Sequence, residues 1–92
     1  MTLSDDAQIA PHPDVVFREV DGEVVLLNTS TGQYYSLDAV GSRVWSLLAT
    51  GVSRKTLQET LLAEFDVVET QLQADVDALV EQLAAHALIV VT

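Results

Sequence analysis

The hydrophobic period of this chain changes once, and that change limits the fold more than any other feature. Up to Leu37 the apolar residues follow a strand pattern; from Asp38 onward they recur at helical spacing. Val15–Val20 is rich in β-branched and aromatic residues and is followed by Asp21-Gly22, the favoured pair for a two-residue hairpin turn. Glu23–Leu27 is a near-continuous apolar run suited to a central strand. Asn28–Gly32 reads as a longer turn, and Gln33–Leu37 as the third strand. Short connections predict a three-stranded antiparallel meander.

Three helices are predicted after the switch. Asp38 is a suitable N-cap for a helix to about Thr50, with Val40, Val44, Leu47 and Leu48 as its stripe, Trp45 beside it and Gly51 as its terminator. Ser53 caps a second helix to about Phe65, carrying Leu57, Leu61 and Phe65. A third runs from about Glu69 to His86, with Leu72, Val76, Leu79, Val80, Leu83 and Ala87 on one face. Leu88–Val91 is a candidate closing strand. Strands followed by helices make an α+β domain, and three helices with an attached hairpin suit a winged-helix arrangement. Residues 1–14, with Asp5, Asp6, Pro11, Pro13 and Asp14, read as a flexible N-terminal segment, leaving 15–92 as the folded domain.

Charge removes several functions. Fourteen acidic residues against four basic ones give a net charge of −10. Beyond Lys55 there is no Lys or Arg, while Glu59, Glu64, Asp66, Glu69, Asp75, Asp77 and Glu81 all follow. A helix of that charge is repelled by nucleic acid and by anionic membranes. No run reaches the roughly 20 apolar residues of a membrane span, and the start lacks the pattern of a signal peptide, so a cytoplasmic location is expected. The absence of cysteine excludes disulfides and thiolate metal sites.

The polar residues do not assemble into a reactive set. His12 and His86 lie far apart in sequence, and no nucleophile motif or phosphate loop occurs. His86 falls in the last turn of a helix, where the dipole favours a cation. Asp75 and Asp77, two apart, point to different faces and make poor metal partners. No catalytic residue, metal site or cofactor is expected.

The third strand is the informative element. In a meander the first and third strands are edges. The first is guarded by Pro13, Asp14, Arg18 and Glu19; Gln33-Tyr34-Tyr35-Ser36-Leu37 has neither charge nor proline. Such an edge is covered by the protein's own chain, with Leu88–Val91 available for that, or it receives another strand. Beside the core stripe of the third helix lies a small or polar face of Ala74, Asp75, Ala78, Gln82 and Ala85. If that helix lies beside the third strand, a groove forms with Leu72, Val76 and Leu79 as its floor, a tyrosine as one wall and Asp75 as the other. Backbone pairing alone gives about four or five hydrogen bonds of roughly 0.5–1.5 kcal/mol each, against about 2–5 kcal/mol for ordering a peptide. Micromolar binding, about −8 kcal/mol, therefore needs side-chain anchors in the groove.

The ordered set Val25-Leu26-Leu27, Thr31 to Asp38, Val40-Gly41, Arg43-Val44-Trp45, Leu47-Leu48, Leu61, Glu64 to Val67, Asp75-Val76, Leu79, Leu83 and Leu88-Ile89 resembles the PqqD-like family. The resemblance spans about Val15 to Val91. It implies a three-stranded sheet followed by three helices, without catalytic activity, that recognises the leader of a ribosomally made, post-translationally modified peptide (RiPP). The leader joins the third strand and packs on the third helix. Carried over, Gln33, Tyr34, Tyr35 and Ser36 serve strand addition, and Leu72, Asp75, Val76 and Leu79 form the groove. Asp75 either contacts the leader or satisfies a nearby backbone donor. Tyr-Tyr-Ser-Leu-Asp and Val-Gly-Ser-Arg-Val-Trp are most similar to the free-standing recognition proteins of lasso peptide biosynthesis. That implies a cysteine-protease-like leader peptidase as partner and a leader with a Tyr-x-x-Pro motif. The alternatives are a chaperone for a radical S-adenosylmethionine enzyme in quinone cofactor biosynthesis, and a homodimeric structural subunit pairing its own edges.

Overall fold

The computed structural model describes residues 4–92. Its elements are β1 (Gln8–Pro11), β2 (Val15–Val20), β3 (Glu23–Asn28), β4 (Gln33–Ser36), α1 (Ala39–Leu48), β5 (Val52–Ser53), α2 (Arg54–Glu64), α3 (Glu69–Ala85) and β6 (Ile89–Val91). The strands form two antiparallel sheets, β2-β3-β4 and β5-β1-β6. The α+β class, the meander and the three helices agree with the sequence reading.

Local chemistry explains the boundaries. Asp21 and Gly22 adopt φ of 52° and 82°, the left-handed pair a tight β2–β3 hairpin requires. Asp38 caps α1 by accepting from the Gly41 N–H at 2.7 Å. Ser53 caps α2 through the Thr56 N–H. The chain leaves α1 through Gly51 at φ +86°.

The second sheet departs from expectation. Gln8–Pro11 belongs to the segment 1–14 read as flexible, of which residues 1–3 lie outside the described residues. It pairs with both β5 and β6, and Ile9 is completely buried. A single isoleucine among polar residues carries no period, and its partners lie more than forty positions away in the register Ile9↔Val52 and Ile9↔Val91. Pairing with β1 also fixes the fate of Leu88–Val91: β6 lies in the other sheet and does not cover β4.

Trp45, Leu26, Leu48, Leu57, Leu61, Val44, Val80 and Leu88 join Ile9 in the core between the meander and the helices. Three polar contacts lock the parts in place. The Ser42 hydroxyl accepts from the Val24 N–H at 2.8 Å and donates to the Leu37 carbonyl at 3.2 Å, fastening α1 to the end of the β3–β4 ladder. Buried Asn28 donates to the Ala87 carbonyl at 3.1 Å and accepts from the N–H groups of Ser30 and Thr31. Arg54, only 3% exposed, pairs with Asp77 at 2.7 Å and donates to the Gln73 carbonyl at 3.2 Å, joining α2 to α3.

Candidate peptide-binding site

β4 is the outer strand of its sheet, and none of the other described strands pairs with its far side. Its register is Val25↔Ser36, Leu26↔Tyr35, Leu27↔Tyr34 and Asn28↔Gln33. The Leu37 N–H donates to the Val24 carbonyl at 2.9 Å, which marks Val24 and Leu37 as a hydrogen-bonded pair. Antiparallel pairs alternate, so Tyr35 and Gln33 also turn their backbone groups toward β3. Tyr34 and Ser36 point theirs outward. The open edge thus offers about four backbone hydrogen bonds, two donors and two acceptors.

Side chains follow the same alternation. Tyr34, 70% exposed, lies on the outer sheet face in a row with Leu27 and Val16. With Arg18, Val20 and Val25 these residues line a shallow cavity of about 480 Å³. Tyr35 points the opposite way, half-buried, toward the end of α3. Its hydroxyl donates to Gln33 Oε1 at 2.6 Å and stands 3.5 Å from His86 Nδ1. The two rings are 5.1 Å apart at 45°. Of the two tyrosines, it is Tyr35 that packs against the core, as its shared face with Leu37 requires.

The α3 residues named from sequence do converge. Leu72, Asp75, Val76 and Leu79 all line one cavity of about 250 Å³, closed by Val40, Val44, Leu61, Phe65 and Val67. Asp75 is its sole charged member, and its carboxylate accepts from Gln71 at 2.9 Å. Val76 is buried at 3% exposure, whereas Leu72 and Leu79 are half-buried and Val40 is 56% exposed. The tyrosine wall is displaced from this cavity: Tyr35 stands by His86, ten residues along α3 from Val76. Val40, in the first turn of α1 and four residues after the end of β4, lines the cavity instead. Sequence reading had Val40 as stripe and His86 as a dipole partner; neither carried a signal of its position.

Asp75 puts a negative charge at the rim of the cavity. Ala74, Asp75, Ala78, Gln82 and Ala85 form an exposed face beside the cavity. Arg43 holds Glu64 bidentately at 2.7 Å, joining α1 to α2. That hydrogen bonding, more than the charge itself, keeps the Glu64 carboxyl below the usual glutamate range. Among the described residues no cluster of His, Asp or Glu is arranged to hold a metal, and no helix is long and apolar enough to cross a membrane.

The chain is similar in family and fold to known proteins. No curated protein matches the chain. Among solved structures, TbiB1 in complex with the TbiA(beta) leader peptide is 36% identical, with 97% of this chain and 94% of that chain covered at a TM-score of 0.77. A lasso peptide synthetase B1 complexed with the leader peptide shares the fold, with a TM-score of 0.80 over 89% of this chain and 96% of that one at 24% identity. The model of the family described as coenzyme PQQ synthesis protein D (PqqD) matches residues 23–89. With the family model matching most of its length, the chain belongs to the PqqD family.

Proposed function

We propose that this chain binds the leader peptide of a ribosomally synthesised precursor and delivers it to a modifying enzyme in lasso peptide biosynthesis. The observation that carries the reading is the uncovered edge of β4, together with an apolar cavity lined by α1, α2 and α3. The leader joins the sheet through the backbone of Tyr34 and Ser36, within the segment Gln33–Ser36. Its apolar side chains anchor against Leu72, Val76 and Leu79, with Asp75 at the rim. The 36% identical TbiB1, solved with a leader peptide, supports the same role here. The domain binds and presents; a cysteine-protease-like leader peptidase acts on the presented peptide, in the cytoplasm. The folded recognition unit includes β1.

Magnitudes assign the parts. About four edge hydrogen bonds of roughly 1 kcal/mol each are offset by about 2–5 kcal/mol of peptide ordering. Fully burying one large apolar side chain adds about 1.5–3 kcal/mol, so two anchors decide the affinity.

The test is fluorescence anisotropy with the leader of the precursor encoded beside this chain. Leu79→Asp and Val40→Asp place a charge in the cavity without emptying the core, and each should weaken binding at least tenfold with the circular dichroism spectrum unchanged. Unaltered affinity in both contradicts the groove. A homodimer paired through β4 would instead show as doubled mass and no leader binding.

A further inference from the structure

We infer that Gln33, Tyr35 and His86 form a second, polar subsite that reads a hydrogen-bonding side chain of the bound peptide, four residues from its apolar anchor. This rests on the leader-binding reading and adds a sequence rule to it. The three residues come from two elements: the start of β4 and the residue that closes α3. Tyr35 donates to Gln33 Oε1 at 2.6 Å, so the carboxamide is held with its NH2 group away from the tyrosine. His86 presses its ring on Tyr35 at 5.1 Å and is exposed, which leaves Nε2 directed elsewhere than the hydroxyl near Nδ1. The cluster therefore presents an amide donor and an imidazole edge on the α3 side of the sheet. An Asn, Gln, Asp or Glu side chain satisfies those groups; an aliphatic one leaves them unpaired as the peptide displaces water.

Geometry sets the spacing. On α3 the cavity is lined from Leu72 to Leu79, with Val76 its buried member, and His86 is ten residues beyond Val76. At 1.5 Å per helical residue that separation is about 15 Å. An extended peptide covers it in roughly four to five residues at about 3.3 Å each. Side chains of a strand alternate faces, so two that both point at α3 differ by an even number. Four is the value that meets both conditions. The residues between them that face outward lie over Tyr34, on the other side of the sheet.

The experiment is a set of double-mutant cycles read by anisotropy with the same synthetic leader. Each leader position is replaced by alanine in turn and titrated against the wild-type chain, His86→Ala, Tyr35→Phe and Val76→Ala. His86→Ala and Tyr35→Phe should each weaken the native leader about fivefold, within the usual range for a lost hydrogen bond. That loss should vanish for one leader variant, the one lacking the polar residue. The position coupled to Val76→Ala should lie four residues away. Coupling to adjacent positions, an equal loss for every leader variant, or no loss at all overturns the subsite while leaving leader binding intact. Absence of binding by the wild-type chain removes the leader reading itself, and the subsite with it.

Discussion

The side-chain amide of Asn28 donates to the Ala87 carbonyl across 3.1 Å, tying the turn before β4 to the end of α3. Both walls of the proposed groove are thereby fixed to one buried residue, 1% exposed. Its oxygen meanwhile holds the Ser30 and Thr31 N–H groups. Asn28→Ala strips three hydrogen bonds and should cost about 2–3 kcal/mol in urea unfolding. Asn28→Asp keeps the acceptor but turns a carboxylate on the Ala87 carbonyl, and should not recover the loss. A change below about 0.5 kcal/mol in both would contradict this role.

Arg54 and Asp77 form an ion pair whose cation is nearly inaccessible, 3% exposed against 16% for the acid. Arg54→Ala leaves Asp77 short of its partner inside the α2–α3 contact and should destabilise by about 3 kcal/mol. The paired replacement Arg54→Met with Asp77→Leu should recover most of that, since the desolvation cost of both charges disappears together. Thermal or urea unfolding of the three chains checks it.

Glu64 gives the stability a pH dependence of known sign. Its carboxyl titrates below the usual glutamate range in the folded chain because Arg43 hydrogen-bonds it. A depressed folded value means the contribution is complete above the unfolded value and fades as pH falls through the folded one. Glu64→Gln should therefore lose less stability than the wild type between pH 5 and pH 2. Because the pair lies at the surface, added salt should narrow the difference. Parallel acid titrations of the two chains would refute this if Glu64→Gln fell more steeply.

Asp75 is exposed at the cavity rim on a chain of net charge −10. Association of a leader with basic residues should slow as salt rises, and Asp75→Asn should flatten that dependence with a smaller effect on dissociation. Stopped-flow binding at low and high salt separates the two rates.

Much of this was legible in the sequence because it is local. The Asp21-Gly22 turn, the Asp38 and Ser53 caps and the helical stripes each depend on residues a few positions apart. β1 was missed because its strand depends on Val52 and Val91, and one buried isoleucine sets no period. The groove residues on α3 were recoverable from helical spacing, and they do share a cavity. Which element faces them was not: Val40 closes the cavity and Tyr35 meets His86 because of how α1 and α3 cross the sheet. The Arg43–Glu64 and Arg54–Asp77 pairs likewise join positions about twenty apart on different helices, beyond any i, i+4 rule.

The most direct measurement is residue-resolved amide hydrogen exchange of β4 with and without the leader peptide. In the free chain the Tyr34 and Ser36 amides face outward and should exchange quickly, while Tyr35 and Leu37, bonded to β3, exchange slowly. On leader binding, Tyr34 and Ser36 should become protected and Tyr35 and Leu37 should change little. A leader that binds while Tyr34 and Ser36 remain fast would contradict strand addition at this edge.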